Sequence, residues 1–258
     1  MIAFRFWSRF GAFKDPLSIS QNITFSLPPK TAIGGIIGGI IGKTPDEIFN
    51  DDEYFNFGYS AVLLSPTRKK SFAQNYISKY TERSYYKINA INKCLLELPL
   101  GKREKAVIEN FKFEEEKGDY KVWQKPTYRE LLLNPNYLII IQDFKYEKKL
   151  KKHLQNHYSV YPVYMGNSEF SANFSWVECT SNSVKTDTLH SFTQEVENID
   201  FRLGNHYTSL KMATKSFGQR EYRDYKQIVV SDKAITLKKS IEAIKLLTPD
   251  GQYYCEFI

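Results

Sequence analysis

At 258 residues, 42% apolar and 15% aromatic, the chain can hold one large domain or two small ones around a hydrophobic core, which excludes a disordered or low-complexity protein. Its 36 Lys and Arg against 29 Asp and Glu give a net charge of +7, a balance that admits a nucleic-acid partner without demanding one. Three widely spaced cysteines (Cys94, Cys179, Cys255) without a C-x-x-C pair exclude a readable disulfide scaffold or zinc knuckle and fit a reducing cytoplasm.

Residues 2–7 read as a first strand, with Ile2, Phe4 and Phe6 alternating with Ala3 and Arg5. There is no basic region, apolar block and cleavage site in sequence, so this start is not expected to be a signal peptide. Gly11 breaks the alternation and Asp15-Pro16 marks a turn. Residues 24–27 are a short extended piece leading into Pro28-Pro29, and a helix should begin at Pro29 or Lys30 and run to about Gly42. Residues 59–65 form a buried strand ended by Pro66. From 66 to 135 the chain turns polar, basic and tyrosine-rich, and reads as a long insertion with hairpin-like pieces. Residues 137–142 (YLIIIQ) give the clearest buried strand, 145–158 a basic helix, and 174–179 a further strand after a turn at Gly166-Asn167-Ser168.

The core order is therefore β-α-β-β-α-β, the ferredoxin-like split unit of an α+β protein, built from 1–65 and 136–185 around the inserted 66–135. Residues 186–258 carry strand signals at 227–230, 234–237 and 253–258 and read as a small β-rich C-terminal subdomain.

The segment TAIGGIIGGIIGKT (31–44) admits three readings. A phosphate-binding loop needs G-x-x-x-x-G-K-[ST]; before Gly42-Lys43-Thr44 that requires glycine at 37, where isoleucine stands. A membrane helix needs about 20 apolar residues, and the run from 32 to 42 has about half of them. The third reading is a buried soluble helix with a side-chain-free strip of Gly35, Gly38, Gly39 and Gly42. Each glycine costs about 1 kcal/mol relative to alanine, so something must approach that backbone closely. Tight packing on the sheet is the plainest cause. A phosphate at the helix N-terminus beside Lys30 is compatible with it.

Charge is concentrated locally. Residues 1–65 have net charge −1, whereas 66–93 hold seven basic side chains against Glu82 alone. There Arg68, Lys69, Lys70, Lys79, Arg83 and Lys87 interleave with Phe72, Tyr76, Tyr80, Tyr85 and Tyr86, the mixture of phosphate charges and stacking rings that single-stranded RNA binders use. A solvated hairpin is the plain alternative. His153 and His157 stand four apart on the expected basic helix and would share a face, but zinc needs two further ligands and their neighbours are lysines. A second basic turn spans 216–223 (SFGQREYR), facing a protein partner or RNA.

Two stretches resemble the family-five CRISPR-associated (Cas) proteins of type I systems. Phe10-Gly11, Phe13-Lys14 and Pro16 match a G-x-F-[KR]-x-P turn. Thr24-Phe25, Pro28-Pro29, Thr31-Ala32, Gly35 and Gly38-Gly39 match the helix start that follows it. Later, Tyr164-Met165-Gly166-Asn167-Ser168-Glu169 is similar to the family's Y-L-G-x-S-E turn. The resemblance covers about the first 45 residues and about ten near 165, and its nearest pattern is type I-B-like.

It implies a ferredoxin-like (RRM-like) core of the RAMP class with an inserted β-hairpin thumb, around which the 5′ handle of a guide RNA (crRNA) hooks. It implies as partners the crRNA, the Cascade backbone subunit and the Cascade large subunit, with target DNA near the PAM-proximal end as a further candidate, and a cytoplasmic location with no membrane. One branch of the family cuts precursor RNA with a tyrosine, a lysine and a histidine. Here the four histidines (His153, His157, His190, His206) all follow residue 150, so no Lys-His pair can be placed in the insertion. The expected function is thus a non-catalytic crRNA-binding subunit needing no cofactor or metal. Expected RNA contacts are Lys14, Lys30, Thr31, Arg68, Lys69, Lys70, Tyr76, Tyr80, Arg83, Asn167 and Ser168. A metal-independent endoribonuclease of the same fold and a purely protein-binding scaffold are the alternatives.

Overall fold

A computed structural model describes residues 1–18, 22–77, 92–93, 95–99, 101–103, 124–218 and 221–258. The protein is mixed and sheet-rich, with few helices among the described residues. It divides into two compact units, Met1–Ser71 with Glu130–Ile258, and Phe72–Arg129.

The first unit is built on four antiparallel strands: β1 (Ile2–Trp7), β3 (Gly58–Leu63), β6 (Asn136–Gln142) and β7 (Asn173–Val177). Their order across the sheet is β3-β6-β1-β7. Helix α1 (Lys30–Ile41) runs between β1 and β3, and helix α3 (Glu147–Gln155) between β6 and β7; a short helix, α2 (Pro45–Phe49), follows α1. Alternation along each strand sets the two faces. Ile2, Phe4 and Phe6 stand opposite Ile141, Ile139 and Tyr137, and all six join the main core beneath the helices. Ala3, Val62, Leu138 and Ile140 point the other way.

That second face is covered. Strands β11 (Ile235–Thr248) and β12 (Gly251–Cys255) form a three-stranded sheet with β8 (Thr180–Leu189), and Leu246, Cys255, Tyr253 and Phe257 pack with Ala3, Val62, Leu138 and Ile140 of the core sheet. The last residue, Ile258, exchanges both backbone hydrogen bonds with Tyr59 on the edge strand β3, at 2.9 and 3.0 Å. Strands β9 (Tyr207–Ser216) and β10 (Tyr222–Ser231) pair as a ribbon beside α1 and supply Leu210, Met212, Ile228 and Val230 to the main core. Residues 186–258, read from sequence as a C-terminal subdomain, have a buried cluster of their own at Leu189, Ile199, Val229, Ile235, Leu237 and Ala243, and also add to the two cores built on the N-terminal strands.

Helix α1 begins and ends where the residues require. Pro29 is extended at its N-cap, and Gly42 takes a left-handed conformation (φ 76°) at its end, where its N–H and that of Lys43 reach back to Gly39 and Gly38. Thr44 then caps α2 by accepting from the Glu47 N–H, while the Glu47 carboxylate accepts from the Thr44 N–H. Gly42-Lys43-Thr44 is thus a helix-to-helix corner. The basic helix is shorter than the expected 145–158: α3 stops at Gln155, and His157 lies beyond it with φ 49°. His153 and His157 therefore do not share a helix face; their rings lie instead against Tyr158 and Phe174.

Strands β4 (Lys69–Ile77) and β5 (Gln124–Leu133) each hold residues of both units, and β2 (Phe10–Gly11) joins their sheet through Gly11–Leu132 and Phe10–Leu133. Within the second unit Arg129 donates to Gln74 at 2.8 Å. The expected insertion at 66–135 begins and ends a few residues outside this unit. No helix among the described residues is long and apolar enough to cross a membrane.

Candidate nucleic-acid interface

A groove of about 780 Å³ opens on the helix side of the first unit, within the size range of ligand sites. Its walls come from three separate stretches: the turn holding Ala12, Phe13, Lys14 and Pro16; the start and one face of α1 at Pro29, Thr31, Ala32, Gly35 and Gly39; and the loop holding Tyr161, Gly166 and Asn167. Phe49, Phe55 and Tyr222 add aromatic surface.

Two glycines let the first and third walls lock together. A Cβ on Gly11 would stand 2.3 Å from Met165 Cγ, and one on Gly166 would stand 1.9 Å from the Ala12 carbonyl oxygen, at a φ of 86° that other residues avoid. The Ala12 N–H donates to the Met165 carbonyl at 3.0 Å across this contact. The two segments singled out in sequence, 150 residues apart, are therefore one structural wall.

The glycines of α1 divide into two pairs. Gly34 and Gly38 are filled by the protein itself: added Cβ atoms would meet the Phe55 ring at 2.3 Å and Ile48 Cδ1 at 2.4 Å, and the Tyr54 hydroxyl donates to the Gly34 carbonyl at 2.9 Å. Gly35 and Gly39 face the groove, where a Cβ on Gly35 would meet nothing within 4 Å and one on Gly39 only Tyr161 at 3.9 Å. The expected single strip of Gly35, Gly38, Gly39 and Gly42 is thus split. The residues against the sheet are Ile33, Ile37, Ile40 and Ile41, all fully buried, and not the glycines.

Electrostatically the groove suits an anion. Among the described residues, Lys14 and Lys43 are its charged lining groups and no carboxylate lines it. Lys14 is exposed and Asn167 half-buried; neither side chain has a hydrogen-bond partner among the described residues. Lys43 lies 4.4 Å over the Tyr146 ring and 3.9 Å from Glu47. The first N–H groups of a helix lack intrahelical acceptors. Lys30 N–H donates to Met212 Sδ, and Ile33 N–H to Pro29, which leaves the groove-lining Thr31 and Ala32 amides without acceptors among the described residues.

The other expected contacts lie elsewhere. Lys30 is buried with its ammonium turned inward, 3.3 Å from the Ile258 carbonyl oxygen and 5.0 Å over the Phe57 ring. Burial, helped by the charge of Lys215, lowers it to about 8. Its position at a helix start suggested a free charge; the β9–β10 ribbon, unforeseen there, closes over it. Lys69 reaches back to the Thr24 carbonyl and to Glu130, whose carboxylate also accepts from Thr24 N–H. Arg68 and Lys70 are exposed at the head of β4 and do not line the groove; Ser168 is exposed one residue beyond Asn167. Tyr76 is on β4, its side chain not described, and Tyr80 and Arg83 lie outside the described residues. Of the second basic turn, Ser216 lines the groove and Arg223 stacks over Phe217 and pairs with Glu221.

No family model matches this sequence, and no curated protein matches it. Among solved structures, the chain is similar to a component of a "CRISPR RNA-guided surveillance complex" at 10% identity and a TM-score of 0.48, over 92% of this chain and 90% of that one. It is also similar to a "Cas protein" (10% identity, TM-score 0.42, 92% and 95% covered) and a "CRISPR-associated Protein" (11%, 0.39, 91% and 90%).

Proposed function

We propose that this chain is a non-catalytic RNA-binding subunit of a type I CRISPR surveillance complex, related to the family-five RAMP proteins, and that it holds the 5′ handle of the guide RNA in the α1 groove. The observation that carries the reading is the groove's construction. The two family-like segments meet in one wall, and the facing wall is bare helix backbone at Gly35 and Gly39. Glycine in a helix costs about 1 kcal/mol, and among the described residues no atom but Tyr161 Cβ, 3.9 Å from a Cβ on Gly39, uses the space these two leave open. A ligand that packs on backbone does, and Lys14, Asn167 and the Thr31 and Ala32 amides around it suit phosphate oxygens.

The strand order β3-β6-β1-β7, with α1 and α3 as crossovers, is that of a ferredoxin-like unit, which supports the RAMP assignment. In RRM modules bases stack on the open sheet face. Here residues of β11 and β12 cover that face, which supports placing the RNA in the helix-side groove. Among the described residues no histidine lines it, which favours holding RNA over cutting it.

The test is binding of a repeat-derived RNA to the full chain in EDTA. Wild type is expected to bind without cutting. Lys14→Glu combined with Asn167→Ala should weaken binding at least about tenfold, the loss of one charge-assisted and one neutral hydrogen bond. Unchanged affinity overturns the groove assignment, and site-specific cleavage replaces the reading with the endoribonuclease one.

A further inference from the structure

Helix α3 carries a second charged surface, separate from the groove. Its sequence EKKLKKHLQ buries Leu150 and Leu154, and the four lysines, Lys148, Lys149, Lys151 and Lys152, are exposed. At about 100° per residue, the lysines span an arc centred opposite the two leucines. None of the four has an ion-pair partner among the described residues, although Lys149 stands near enough to Glu47 to influence it and Lys151 covers the Trp176 ring at 5.5 Å. Elsewhere in this unit, Lys43 pairs with Glu47, Lys69 with Glu130, Lys145 with Asp51 and Glu53, and Lys215 with Asp224. Glu147, the one acid of the helix, is taken by the Met1 amino group at 2.9 Å.

The arrangement works against the helix that bears it. Lys148 with Lys151 and Lys152, and Lys149 with Lys152, are like-charge pairs at i,i+3 or i,i+4 spacing, each unfavourable. Lys148 and Lys149 also fall in the first turn, where the helix dipole favours anions. A polyanion laid along this face relieves both penalties at once.

We propose that the exposed face of α3 docks the sugar-phosphate backbone of a nucleic-acid duplex, independently of base sequence. Two features select a duplex over a single strand. The exposed arc itself is made of lysines, and the Trp176 ring beside it is half-buried under Lys151, whereas single-strand sites combine charge with rings open to stacking. It is also convex, and lysines act as point charges that fit a regular phosphate row without base readout. The site is independent of the groove, and the two can fail separately.

The experiment is fluorescence anisotropy of a labelled 30-base-pair random-sequence DNA duplex with the full chain over a salt series. Wild type is compared with a variant carrying Lys148→Ala, Lys149→Ala, Lys151→Ala and Lys152→Ala, and with one carrying arginine at the same positions. Alanine is the best helix former and removes the repulsion, so the alanine variant should keep its fold, checked by circular dichroism. Each phosphate contact contributes about 0.9 to the slope of log affinity against log salt, so losing two to four of them should lower that slope by about 2 to 4 and weaken binding at least tenfold at low salt. The arginine variant should bind as wild type does. Unchanged duplex affinity and slope in the alanine variant overturn the proposal. So does a loss confined to a 30-nucleotide single-stranded RNA, or to anionic phospholipid vesicles.

Discussion

Lys30 shows how one side chain can take a role opposite to the one its position suggests. It sits at the start of a helix, where a lysine reads as a phosphate contact, yet its ammonium is enclosed by Ile258, Phe57 and the core. Burial disfavours the charged form, so its folded value falls to about 8 from the ordinary lysine value near 10.5. In the window between these two the unfolded chain binds more protons, and stability must rise with pH. Below about 8 both states are protonated and the full penalty of the buried charge is present. Tyr54, Tyr59 and Tyr137 act in the other direction at higher pH. Burial raises all three, so the unfolded tyrosines ionise first and stability falls above about 10. Denaturant unfolding should therefore show Lys30→Met gaining on wild type most at pH 7 and least near pH 10, by up to about 3 kcal/mol between the two. A difference that does not change with pH would mean the ammonium is solvated.

At the scale of elements, α1 shows both the reach and the limit of sequence reasoning. Its boundaries were legible because Pro28-Pro29 and Gly42 are punctuation with a mechanism: an extended proline entry and a left-handed exit. Its need for close neighbours was legible from the glycines. Which neighbours they were was not, because Ile48 arrives from α2, and Tyr54 and Phe55 from the turn after it, whose path no local pattern specifies. The two glycine pairs predict opposite outcomes. Gly35→Ala enters open space and should stabilise the chain by up to about 1 kcal/mol. Gly38→Ala collides with Ile48 Cδ1 and the Tyr54 hydroxyl and should cost about 1–3 kcal/mol. Urea unfolding of both variants decides the matter; shifts of the same sign would contradict the division of faces.

Other elements failed for definable reasons. The expected basic helix overshot by three residues because lysines and histidines continue past Gln155, while Asn156 and a left-handed His157 end it. Strands β8 and β9 lack a clean apolar alternation: β8 is mostly exposed, and β9 buries only Leu210, Met212, Ala213 and Thr214. The groove inherited the same blindness. Lys14, Thr31 and Asn167 could be named in advance, whereas Phe49, Phe55, Tyr161 and Tyr222 are brought there by packing alone.

At the scale of the whole molecule, layers decide where a ligand can go. The core sheet has helices on one face and the β11–β12 sheet on the other, and Ile258 occupies the backbone of its outer strand at Tyr59. Among the described residues of the first unit, the groove along α1 and the lysine face of α3 stay open. The central claim concerns the first of these. Photo-crosslinking of a bound repeat-derived RNA to the full chain, followed by mass spectrometry of the crosslinked peptides, tests it most directly. Adducts are expected on peptides holding Lys14, Thr31 and Tyr161 to Asn167. Adducts confined to the β11–β12 layer, or no RNA captured, would contradict it.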